Sequence, residues 1–194
     1  MDLINLRQLA NLTYHDPEVV LKKLREIEYS LPPRNTTDLA RRLRTNGLKS
    51  WHETRLAAVF CVGMTSLIGL KIWFAHSENQ DYDFVTMWRE DESTKFCPVQ
   101  LKEVAPHDLN PHASIEDVFQ SLRRYGDSSD LVVAVSISQQ TTFDPSCLKI
   151  PKDLTVKEFW VFGTLAPDQS KWALWGDFTL GDRNWGHTFD YPSE

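Results

Sequence analysis

A chain of 194 residues with 41% hydrophobic side chains has room for one substantial core and a small appendage, and shows no compositional sign of disorder. A formal net charge of -6 argues against a protein that coats polyanions through overall basicity, so any nucleic-acid contact must be local. Three cysteines, Cys61, Cys97 and Cys147, without CxxC spacing suggest neither a disulfide framework nor a cysteine zinc site, and fit a reducing, cytoplasmic setting. The opening residues MDLINLRQLANLTYHDPE mix acids with apolar positions and lack the basic start of a secretory leader. No apolar run reaches membrane-spanning length, so no membrane partner is expected.

Asp16-Pro17 opens a helix in which Val19, Val20, Leu24 and Ile27 recur at helical spacing, and Leu31-Pro32-Pro33 stops it. Thr36, Thr37 and Asp38 then offer caps to a second helix reaching about Arg44, ended by Asn46-Gly47. Residues 1–49 thus read as an N-terminal helical extension and 50–194 as the main domain. Arg34, Arg41, Arg42, Arg44, Lys49 and Arg55 gather here against only Asp38 and Glu53. Such a cluster is either a solvated helix face or a local grip on phosphates.

Ser50 is placed to cap a third helix, Trp51 to about Leu67, whose inward stripe reads Ala57, Phe60, Met64 and Leu67. One turn back the stripe meets Glu53, and an acid on a buried face is costly without a partner or a metal. Ser50-Trp51-His52-Glu53 is also an S-x-x-E capping box, in which the glutamate reaches back to the cap's amide. Glu53 cannot fill both roles at once.

From Lys71 the period becomes two. Ile72 to His76, Phe84 to Trp88 and Phe96 to Val104 read as strands of an antiparallel meander, separated by polar stretches. A helix from Ser114 to Tyr125 follows, with Ile115, Val118, Phe119 and Leu122 on one face and Gly126 closing it. LVVAVSI, Leu131 to Ile137, is the β-branched run of a strand covered on both faces. Two further strands, Glu158 to Gly163 and Trp172 to Leu180, follow. Trp160, Trp172, Trp175 and Trp185 either fill the far side of the sheet or stack bases.

Asp83 opens the second strand of the meander and Gln100-Leu101-Lys102 lies in the third. Alternate strand residues share a face, so Gln100 and Lys102 project together while Leu101 and Glu103 face away. Hairpin pairing of the two strands brings Asp83 close to this tripeptide, and the side chains can converge on one ion. Magnesium takes hard oxygen ligands and keeps several waters. The Asp83 carboxylate, the Gln100 amide oxygen, the Leu101 carbonyl and a substrate phosphate form a partial shell of that kind. Gln100 contributes one negative charge fewer than an acid would.

These residues, in DYDFVTMW and CPVQLKEV, resemble the PD-(D/E)xK nuclease superfamily in its QxK form, over Ser50 to about Gln139. The resemblance implies an α/β fold with a restriction endonuclease-like αβββαβ core and a mixed sheet. It implies hydrolysis of phosphodiester bonds, in DNA first, with Mg2+ or Mn2+ as cofactor, and a homodimer, the form in which many relatives cut both strands. In the same pattern Lys102 orients or deprotonates the attacking water, and Glu53, as the acid of the first core helix, binds the metal directly or through water. Asp81, two residues before Asp83 on the same face, competes for its role.

Gln120 and Tyr125 resemble the QxxxY feature of RecB-like nucleases with one residue too many between them; they also read as a solvated and a core residue. His107, Asp108 and His112 have neither helix nor strand spacing for a metal pair and read as a loop, from which His107 or Asn110 would line the substrate groove. TTDLARRLRTNGLKSWHETRLAAV is somewhat similar to a helix-turn-helix, with Gly47 later than that motif expects. A nucleic-acid-binding regulator, or a scaffold that keeps the nuclease fold without turnover, is therefore the competing function.

Overall fold

The computed structural model describes residues 3–30, 48–77, 82–123, 128–181 and 185–192. Within them run helices α1 (Leu3–Ala10), α2 (Pro17–Ser30), α3 (Lys49–Ile68) and α4 (Ile115–Leu122). The strands are β1 (Ile72–His76), β2 (Phe84–Glu90), β3 (Ser93–Val104), β4 (Ser128–Ile137), β5 (Val156–Thr164), β6 (Lys171–Gly176) and β7 (Trp185–Asp190). The helix expected through Arg44, with Arg34, Arg41 and Arg42, lies outside the described residues, as do Asp81, Tyr125 and Gly126. Two elements, α1 and β7, escape the reading of the sequence.

The strands form one mixed sheet in the order β1-β2-β3-β4-β5-β6-β7. β1 to β3 meander antiparallel, β3, β4 and β5 run parallel, and β5 to β7 return to antiparallel pairing. Helices α3 and α4 cover opposite faces. Val132 and Ala134 of β4 pack with Ala57 and Phe60 of α3, whereas Val133 and Val135 pack with Val118, Phe119 and Leu122 of α4. The stretch Leu131 to Val135 of β4 is apolar because water is excluded from both its faces.

Ten residues of α3, His52 and 55–63, are buried. The helix is therefore apolar nearly all round rather than along one stripe, as expected of an element with the sheet on one side and α2 on the other. Leu21 of α2 belongs to the same core as α3, and Tyr191 donates to the Leu21 carbonyl at 3.1 Å. At its C-terminus α3 closes on Gly69, whose φ of 71° lets its N–H return to the Thr65 carbonyl.

This packing overturns the expectation that Arg55 touches nucleic acid. Arg55 is only 2% exposed and faces Glu28 of α2, itself fully buried, at 3.4 Å. It also donates to Gln169 Oε1 and lies 5.8 Å from the Trp172 ring and 5.4 Å from the Tyr191 ring. Two positions after Glu53, it occupies a side of α3 that α2 seals, so no phosphate can reach it.

For Trp160, Trp172 and Trp175 the aromatic question resolves toward the core, while the Trp185 side chain lies outside what is described. Trp160 and Trp172 are buried on the α3 face, and Trp175 meets Phe143 edge-on at 5.0 Å. The strand expected to run to Leu180 ends instead at Gly176, where φ is 149° and any Cβ would lie 2.6 Å from the Trp160 ring. Among the described residues no helix is long and apolar enough to cross a membrane. Cys61, Cys97 and Cys147 are free thiols.

Candidate active site

Strand pairing sets the site. β2 and β3 pair from Glu90↔Ser93 to Phe84↔Val99, and there β2 ends. β3 runs on through 100–104, where β4 is its one strand neighbour among the described residues, Gln100↔Val133 to Val104↔Ile137. Asp83 stands at the point of departure. Its N–H still donates to the Val99 carbonyl at 3.0 Å, and its carboxylate then takes over the next rung, accepting from the Leu101 N–H at 2.7 Å. The same oxygen accepts from the Gln100 amide nitrogen.

The hairpin thus brings Asp83 and Gln100 into contact, as the spacing predicts. Gln100 is 4% exposed, and its Oε1 is buried without a hydrogen-bond partner. Such an orphan acceptor is uncommon and carries a desolvation cost of about 1–3 kcal/mol.

A cavity of about 330 Å3 opens beside this junction. Lys49, His52, Glu53 and Leu56 of α3 form one wall; Asp83, Leu101, Lys102 and Glu103 form the other, with Ala105 and Leu109 beyond them. Both faces of the end of β3 reach one cavity because no β2 residue covers that edge among the described residues.

Glu53 departs from its expected environment. α3 begins at Lys49 with no side-chain cap, so the Ser50 capping box does not form. The side chain is 52% exposed rather than buried, and it lies 3.6 Å from Lys49 Nζ in an i,i+4 pair. An exposed pair of this kind contributes at most about 0.5 kcal/mol. Glu53 is therefore free to turn toward the cavity it lines.

Burial raises the Asp83 carboxyl above the usual aspartate range, and Glu53 pushes the same way; the Leu101 N–H and the Lys102 ammonium oppose both. His76, whose ring lies 2.8 Å from Thr54 Oγ1, is lowered by burial and by His15, against the pull of Glu53 and Asp83. Glu53, His76, Asp83 and Lys102 thus share one electrostatic neighbourhood.

The raised Asp83 carboxyl has a sign that can be worked out. The folded chain holds this proton more tightly than the unfolded chain, so stability falls as pH rises through the interval above the ordinary value of about 3.9. At neutral pH the ionised carboxylate is a net cost to the fold. In EDTA, Asp83→Asn is expected to raise the Tm at pH 7, because the amide oxygen can still accept from Leu101, and the gain should shrink below about pH 4. Calorimetric scans across pH check this; a lower Tm at pH 7 would contradict it.

Other expectations distribute unevenly. His107 is exposed and stands apart from the cavity walls, where Leu109 of the same loop is found instead. Gln120 is exposed on α4. Among the described residues, Lys49, 85% exposed in its side chain, is the member of the expected basic group that stands at the cavity.

The sequence reading missed a polar cluster of His52, Glu103 and Ser138. His52 Nε2 lies 3.2 Å from both Glu103 oxygens, and Ser138 Oγ donates to Oε1. Its one legible signal was Glu103 sharing the inward parity of Val99 and Leu101 on a strand face that packs against α3. Among the described residues no three His, Cys, Asp or Glu side chains form a group able to hold a metal by themselves. The chain matches no family model, no curated protein and no solved structure at a significant level.

Proposed function

We propose that the chain is a metal-dependent nuclease of the PD-(D/E)xK type, cutting phosphodiester bonds in nucleic acid, with DNA as the first substrate to test. One observation carries this reading: where β2 leaves β3, the Asp83 carboxylate accepts from Gln100 and Leu101 at the wall of a cavity that Lys102 and Glu53 also line. The order α3, β1, β2, β3, α4, β4 supports the αβββαβ core.

The residues suit a hard divalent cation such as Mg2+ or Mn2+. Asp83 offers a carboxylate, and Gln100, whose amide touches it, carries an oxygen, Oε1, that accepts from no donor. Asp83 and Gln100 would hold the ion, with the Leu101 carbonyl and Glu53 as further oxygens. When bound, Mg2+ supplies positive charge to the phosphate oxygens and activates water.

The chain's own groups divide the remaining work. Lys102 places an ammonium where negative charge grows on the phosphate. Lys49, at the opposite wall, attracts a neighbouring backbone phosphate without reading sequence. Leu56, Leu101 and Leu109 give the cavity an apolar side that limits water.

A second reading, a nucleic-acid-binding scaffold without turnover, is favoured by the neutral Gln100 and by the lack of a three-acid group among the described residues. The first half of the helix-turn-helix segment that would serve a regulator, 36–47, lies outside them. Incubation with plasmid, single-stranded DNA and RNA separates the two readings. Cleavage is expected in Mg2+ or Mn2+ and none in EDTA. Binding without cleavage in every divalent cation would establish the scaffold instead.

A further inference from the structure

Glu103 stands outside the Asp83, Gln100 and Lys102 set, yet it lines the same cavity. Its side chain leaves β3 on the α3 face, opposite Lys102, and meets the cavity there because His52 and Glu53 of α3 form the facing wall. His52, 7% exposed, lies 3.2 Å from both carboxylate oxygens, and Ser138 Oγ donates to Oε1. Ser138 is itself anchored, its N–H donating to the Val104 carbonyl at 3.0 Å. His52 Nδ1 is buried without a partner, so the tautomer that fits carries its proton on Nε2 and donates to Glu103. Donors from a helix and from the end of a strand hold this carboxylate in a fixed orientation at the cavity wall.

We infer that Glu103 is a further catalytic residue of this site: its carboxylate accepts a hydrogen bond from the water that attacks phosphorus and sets it in line with the departing ester oxygen. The inference rests on the nuclease reading above. In the step, the water oxygen forms a new bond to phosphorus as the ester P–O bond breaks. The electron pair of that bond leaves with the ester oxygen, which takes a proton from solvent at the cavity mouth, while the attacking water releases its proton to solvent. Glu103 ends unchanged. His52 and Ser138 are positioning residues that act through it.

The test is steady-state cleavage of a fluorophore-labelled DNA oligonucleotide in Mn2+ by the parent chain, Glu103→Gln and Ser138→Ala, with the Tm of each read in parallel. Glu103→Gln is expected to lower kcat about 100-fold with KM changed by less than about two-fold, because the lost contact is made to the attacking water and not to the bound substrate. Ser138→Ala is expected to lower kcat roughly ten-fold, the worth of one strong hydrogen bond. A purely structural role would lower the Tm and leave kcat per folded molecule unchanged. Parental kcat in Glu103→Gln overturns the inference and leaves the nuclease reading standing; no cleavage by the parent in any divalent cation overturns both. Should Glu103→Gln fail to fold, Ser138→Ala decides, and parental kcat in that variant overturns the inference.

Discussion

Arg55→Ala is expected to cost about 3–5 kcal/mol of folding free energy, the usual consequence of stripping one partner from a buried ion pair. Glu28 is fully buried, and removing Arg55 strips its carboxylate of a guanidinium held at 3.4 Å. The same change empties the space between α2, α3 and the Trp172 and Tyr191 rings, adding a packing loss to the electrostatic one. For a chain of this size each kcal/mol moves the Tm by about 2–4 °C, so a fall of roughly 6–20 °C is expected. Arg55→Lys should recover little, since one ammonium cannot reach both Glu28 and Gln169 as the guanidinium fork does. Thermal unfolding measures the effect. A loss below about 1 kcal/mol, the level of an exposed pair, would place Arg55 at the surface after all.

Lys102→Ala is expected to lower kcat about 10³-fold while leaving the Tm nearly unchanged. The residue lines the open cavity beside Asp83, so its removal vacates no core position. Its charge already acts on the Asp83 carboxyl, which fixes it within electrostatic reach of the place where Asp83 and Gln100 meet. A charge that matters only as the phosphate becomes more negative is lost from kcat rather than from KM. Single-turnover cleavage with excess enzyme separates the two. A Lys102→Ala variant that cuts within about three-fold of the parent would remove this lysine from the chemistry.

The parts of this molecule legible in its sequence are those fixed by neighbours along the chain. The meander could be read because period-two alternation marks each strand and short polar turns force consecutive strands to pair. That hairpin register also places Asp83 opposite Gln100. LVVAVSI announces a strand covered on both faces because five consecutive apolar residues, Leu131 to Val135, replace the usual alternation.

What could not be read depends on contacts distant in sequence. α3 is apolar nearly all round, so a stripe drawn through Ala57, Phe60, Met64 and Leu67 does not define which way Glu53 points. Arg55 looked like part of a basic surface because it follows Lys49 closely; only the arrival of Glu28 from α2 makes it a core residue. The meeting of His52, Glu103 and Ser138 requires α3, β3 and the end of β4 to be in place together. β7 escaped because its six residues, Trp185–Asp190, include a glycine and a histidine that blur the alternation.

The central claim is that Asp83 and Gln100 together hold a divalent cation. A crystal of the parent chain soaked in Mn2+ and measured for anomalous scattering tests it most directly. The account predicts a single strong peak between the Asp83 carboxylate and the Gln100 amide, with Gln100 Oε1 turned toward it, and no peak there in Asp83→Asn. A cavity without anomalous density at saturating Mn2+, or a peak elsewhere on the chain, would contradict it.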